Sequence, residues 1–134
     1  MIQANDPNTR FSPDHTYVKV EDGEALIGLT YFGQDHTSRV SQVEFPSVGQ
    51  KLARGQPFAT IEAIKATVEL PMPVTGEVLA INEALKAEPW LINTDPYGQG
   101  WIIRVRLDDP TQLDQLMDET TYQASAVWEP EQPW

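Results

Sequence analysis

Glycines and prolines cut the middle of the chain into short pieces. Pro46, Gly49, Gly55 and Gly76 punctuate a succession of short segments. The pieces between them are rich in β-branched and aromatic residues. Val40 to Phe45, Phe58 to Ile64, Ala66 to Leu70, Glu77 to Ile81 and Trp101 to Leu107 all read as short strands. Two more precede them, Thr16 to Val20 and Ala25 to Leu29, joined by a turn at Glu21–Glu24. At least six strands at this spacing predict a mainly β fold with little α, an antiparallel sandwich or flattened barrel.

The ends differ from this middle. Residues 1–13 carry Asn5, Pro7, Asn8, Ser12 and Pro13 and read as a loose leader, with Thr75–Gly76 and Val48–Gly49 as turns further on. Asn82 is placed to cap a single helical turn to Lys86. Asp108-Asp109-Pro110-Thr111, followed by Leu113, Leu116 and Met117, predicts a C-terminal helical cap. Residues 127–134 read as a flexible tail, so that 14–126 form one domain.

Charge narrows the function classes. Nine Lys and Arg against 20 Asp and Glu give a net charge of −11. That excess argues against nucleic acid and against anionic membrane surfaces as partners. The sequence has no cysteine, so disulfides, thiol nucleophiles and thiolate metal sites are excluded. His15 and His36 have no spaced partners, so no metal site and no catalytic residue is predicted. No apolar run approaches a membrane span, and a cytoplasmic chain is the expectation.

Lysine is scarce, and Lys65 sits unlike the others. It lies between two β-type segments, ten residues after Gly55 and eleven before Gly76. A chain running out from one glycine and back to the other forms a hairpin with Lys65 near its tip, open to a modifying enzyme. Spacing alone favours the plainer reading, a turn lysine kept for solubility.

Three segments carry a resemblance. Val48 to Gly55, Ile61-Glu62-Ala63-Ile64-Lys65-Ala66 and Pro73 to Val78 resemble the lipoyl-domain pattern. With Asn82 to Leu85, Pro89, Asn93 and Asp95-Pro96-Tyr97-Gly98-Gln99-Gly100-Trp101, the chain resembles the H-protein family of the glycine cleavage system over roughly residues 14–123. Biotin domains share the layout but usually flank their lysine with methionine, where this chain has Ile64 and Ala66. The resemblance implies a lipoyl-domain barrel-sandwich (hammerhead) fold and lipoic acid on Lys65. It also implies Glu62, Ala66 and Glu69 as residues read by a lipoate–protein ligase, lipoyl transferase or partner enzyme. Asp14 and Thr16 would fall in a pocket where the loaded arm rests; Phe32 either lines that groove or packs in the core. Such a protein is a non-catalytic carrier whose partners include dihydrolipoamide dehydrogenase.

The resemblance breaks at the family's pocket serine, here Asp14, at its aspartate four residues after the lysine, here Glu69, and at three further places. The family's pocket glutamate is Thr16 here, its tryptophan is Tyr17, and its Gly-Asp is Ser38–Arg39. These departures point toward an H-like lipoate-binding protein that serves a heterodisulfide-reductase-like complex in sulfur oxidation. The alternatives are an H protein carrying the aminomethyl group in glycine cleavage, and an unmodified β-rich interaction module.

Overall fold

The computed structural model describes residues 8–30, 39–64 and 66–125. Two antiparallel sheets face each other. The larger holds six strands in the order β1 (Thr9–Phe11), β2 (Thr16–Glu21), β3 (Glu24–Leu29), β9 (Ile103–Leu107), β8 (Gly76–Ile81), β5 (Lys51–Leu52). The smaller is β4 (Val40–Glu44), β6 (Pro57–Ala63), β7 (Thr67–Pro71). Two single-turn helices, α1 (Ala84–Ala87) and α2 (Leu91–Thr94), join β8 to β9. A 3-10 turn, Pro110–Gln115, and helix α3, Glu119–Ser125, follow β9. The expected mainly β, antiparallel fold with short helices is the one found.

Inward-facing apolar residues of the two sheets build the core. Val18, Ile27, Val105 and Val78 from the large sheet, and Val43, Ile61 and Leu70 from the small one, are buried between the layers. Burying a side chain of this size contributes roughly 1.5–3 kcal/mol. The opposite face of the large sheet is a charge ladder. Glu21, Glu24, Arg106, Glu77 and Lys51 are successive cross-strand neighbours. Arg104 reaches Glu24 at 3.2 Å and Arg106 reaches Glu77 at 3.4 Å. Opposite charges on one face hold the register, since a slip of one residue would turn them into the core.

Four sequence expectations change. Residues 9–11 are a strand rather than leader: Thr9, Phe11 and Ser12 are buried, and β1 pairs with β2 from Thr9↔Lys19 to Phe11↔Tyr17. Gly76 is no turn; it opens β8 opposite Leu107, and a Cβ there would stand 2.7 Å from the Arg106 carbonyl. The C-terminal cap is two pieces, because Met117 leaves the helical path to exchange backbone hydrogen bonds with Phe11 at 2.8 Å. Asn82 lies one residue ahead of the helix cap. Its Oδ1 accepts from Ala84 at 3.2 Å, while its Nδ2 donates to the Gln99 and Trp101 carbonyls. The flexible tail predicted for 127–134 lies outside the described residues.

Candidate functional site

The hairpin β6–β7 is the site's frame. Pairing runs from Ala59↔Leu70 to Glu62↔Thr67 without a break. The Ala63 amide then donates to the Ala66 carbonyl at 2.9 Å. Only Ile64 and Lys65 remain between the closing pair. Lys65 itself lies outside the described residues. Its neighbours Ile64 and Ala66 are both exposed, and Ile64, at 74% exposure, is one of two large apolar side chains so open among the described residues.

The base of the hairpin is braced from the β4 side. Ile64 donates its amide to the Arg39 carbonyl at 3.1 Å, and Val40 pairs with Ala63. The Val40 amide donates to Asn93 Oδ1 at 2.8 Å, and the Arg39 guanidinium lies 5.4 Å from the Trp90 ring centre. Helix α2 and its flanks thus hold the strand against which the tip is built. Cation–π contact at an exposed site is worth about 0.5–1 kcal/mol and mainly restrains the arginine. Nothing local in the sequence joins Arg39 to Trp90; the helices between β8 and β9 bring them together.

Glu62 and Glu69 share the outer face of the small sheet with Glu44. Glu69 and Glu44 line a shallow groove of about 230 Å³ walled by Phe45, Pro46 and Phe58. Phe58 is buried, whereas Phe45 is half-buried, packing against the core and lining the groove.

The residues expected to form an arm-resting pocket lie at the β1–β2 end of the large sheet where they are described. Asp14 is exposed in the turn between β1 and β2, at the edge of the large sheet. Thr16 is fully buried, with its Oγ1 2.7 Å from Ser12 Oγ and its amide donating to the same Ser12 oxygen. These bonds close the β1–β2 turn. Phe32 lies outside the described residues.

A second polar cluster was not anticipated. The Tyr122 hydroxyl stands 2.7 Å from both His15 Nδ1 and Thr30 Oγ1, and its ring stacks on Phe11 at 4.8 Å. Nearby, the buried Tyr17 hydroxyl donates to the Pro96 carbonyl at 2.6 Å. Burial, then the proximity of Tyr97 and Asp95, pushes that phenol far above its ordinary range. Both clusters tie the N-terminal strands to later segments. Among the described residues no buried side-chain nitrogen or oxygen lacks a partner.

Similarity to known proteins follows this geometry closely. The family model for glycine cleavage H-protein matches residues 9–128. The chain belongs to the glycine cleavage H-protein family. It is 42% identical over 118 residues to the glycine cleavage system H protein of Methylocella silvestris, covering 88% of this chain and 94% of that one. It is 38% identical over 122 residues to the H protein of Symbiobacterium thermophilum, covering 90% and 95%. In three dimensions it resembles the crystal structure of the H protein from Mycobacterium marinum, with a TM-score of 0.83 at 24% identity, over 90% of this chain and 98% of that one. That likeness confirms the fold. The relatives carry the glycine cleavage name, so the lean toward sulfur oxidation, drawn from Thr16, Ser38 and Arg39, is not supported. The glycine cleavage alternative fits better. Among the described residues no helix is long and apolar enough to cross a membrane.

Proposed function

We propose that this H-protein family member is a carrier with lipoic acid amide-linked to Lys65, serving the enzymes of glycine cleavage. The observation that carries the reading is the two-residue connection Ile64–Lys65, closed by the Ala63–Ala66 hydrogen bond and braced by Arg39 and Asn93. The flanking residues fit such an attachment: Ile64 and Ala66 are exposed, leaving their side of the tip open to a modifying enzyme. When bound, a lipoyl group supplies a dithiolane that takes up reducing equivalents and holds cargo on one sulfur. The chain's own work is mechanical. The paired strands fix the root of the arm, and the brace from β4 and α2 keeps that root from bending as partners exchange. A cysteine-free body leaves no internal thiol to capture the arm.

The carrier acts with a ligase or lipoyl transferase, the cleavage enzymes and dihydrolipoamide dehydrogenase, and supplies no active site of its own. Glu62, Ala66 and Glu69 are the residues beside the tip for those enzymes to read. Reconstitution tests the pathway: the lipoylated chain, added to glycine-cleavage enzymes lacking their own H protein, restores glycine decarboxylation. Failure to restore it, with lipoylation verified by mass, overturns the glycine cleavage assignment.

A further inference from the structure

The hairpin that carries Lys65 has a free side. β7 is an outer strand of the small sheet, and among the described residues β6 is its only strand partner. The register identifies which backbone groups stay unused. Ala63 donating to Ala66 makes those two a hydrogen-bonded pair. Bonded and non-bonded pairs alternate along an antiparallel ladder. Ile61–Val68 and Ala59–Leu70 are therefore bonded pairs, and Glu62–Thr67 and Thr60–Glu69 are not. The amides and carbonyls of Thr67 and Glu69 thus point away from β6, toward the open edge, and both residues are exposed. The opposite outer strand, β4, is engaged where it begins, since Asn93 takes the Val40 amide.

Charge says what fits there. Gln42, Glu44, Thr60, Glu62, Thr67 and Glu69 face outward from this sheet, three carboxylates and no cation. A strand added to β7 sets alternate side chains on that same face, beside Glu69 and near Glu62. Opposite charges across strands stabilise such a pairing and like charges oppose it. A second copy of β7 would bring carboxylate against carboxylate.

We propose that β7 is a strand-addition edge: the backbone of Thr67 and Glu69 pairs with an extended basic segment of the enzyme that acylates Lys65. This rests on the carrier reading above. Pairing through the main chain fixes direction and height two residues from the lysine, so the amine is delivered in register.

The test uses the full chain with lipoate, ATP and a lipoate–protein ligase, followed by intact mass over time. Thr67→Pro removes an outward amide that the β6–β7 ladder does not use, and its ring fills the edge. The proposal expects kcat/KM for acylation to fall about tenfold or more, the equivalent of one lost hydrogen bond. Glu69→Lys also slows acylation. In the wild-type chain, ligase slows hydrogen exchange at the Thr67 and Glu69 amides, which otherwise exchange as an open edge. Acylation of Thr67→Pro at the wild-type rate overturns the proposal. So does unchanged exchange at both amides in the presence of ligase, a measurement that decides alone if the variant does not fold. A free chain that is a dimer, made monomeric by Thr67→Pro, gives the edge to a second copy and also overturns it. Wild-type chain that takes up no lipoyl group overturns the carrier reading itself, and wild-type acylation with an unimpaired variant overturns the edge alone.

Discussion

The Tyr122 hydroxyl stands 2.7 Å from His15 Nδ1, joining helix α3 to the turn before β2 across 107 residues of chain. Thr30 Oγ1, also at 2.7 Å, completes the junction. With one proton to give, the hydroxyl donates to one neighbour and accepts from the other. Tyr122→Phe keeps the stacking on Phe11 and leaves a buried threonine hydroxyl short of this partner. A loss of about 1–3 kcal/mol in denaturant unfolding is expected. An unfolding midpoint indistinguishable from wild type would show that the junction is not coupled to folding.

Tyr17 predicts behaviour in alkali. Its phenol is held far above the ordinary value of 10.0 by burial, so the fold favours the neutral form. That contribution is fully present below the unfolded value and is lost as pH rises past about 10. Wild-type stability is expected to fall more steeply between about pH 9 and 11 than that of Tyr17→Phe. Parallel curves would separate the phenol from alkaline unfolding. At the other end of the scale, Asp118 accepts from the Thr121 amide at 2.7 Å, which lowers its carboxyl below 3.8. Its support for α3 is present above that value and fades as pH falls through the lowered one, so exchange protection in α3 is expected to drop first in acid.

Gly76 and Gly55 separate two reasons for glycine. A Cβ at residue 76 meets the Arg106 carbonyl at 2.7 Å, so Gly76→Ala forces β8 and β9 apart and is expected to cost about 1–3 kcal/mol. Gly55 has open space around it but a φ of 92°. Gly55→Ala is expected to cost about 1 kcal/mol through backbone strain alone. Thermal or chemical unfolding of the two variants checks the order, and a larger loss at Gly55 would contradict it.

Much of this fold was legible because strand periodicity is local. Thr16 to Val20 and Phe58 to Ile64 are rich in β-branched and aromatic residues, Ala25 to Leu29 is an apolar run, and Trp101 to Leu107 alternates, so each is read without neighbours. β1 was not, because Thr9-Arg10-Phe11 is three residues beside Pro7 and Pro13, and only pairing with β2 gives it order. The C-terminal helix was read too long, because Leu113, Leu116 and Met117 share a helical spacing while Met117 spends its backbone on Phe11. Gly76 was misplaced for the same reason: the Arg106 carbonyl that demands a glycine comes from a strand about 30 residues away. At the site, the two β-type segments either side of Lys65 made the β6–β7 hairpin legible, although Gly76 opens β8 and does not bound it. The brace from Arg39, Trp90 and Asn93 was invisible, since those contacts form only when the helices after β8 fold back on β4.

The central claim is that Lys65 carries the lipoyl group. Full-length chain treated with lipoate, ATP and a lipoate–protein ligase is analysed by intact mass and by peptide mapping, beside Lys65→Ala. The account predicts one lipoyl increment, mapped to Lys65 and absent from the variant. No increment, or an increment that persists in Lys65→Ala, would contradict it.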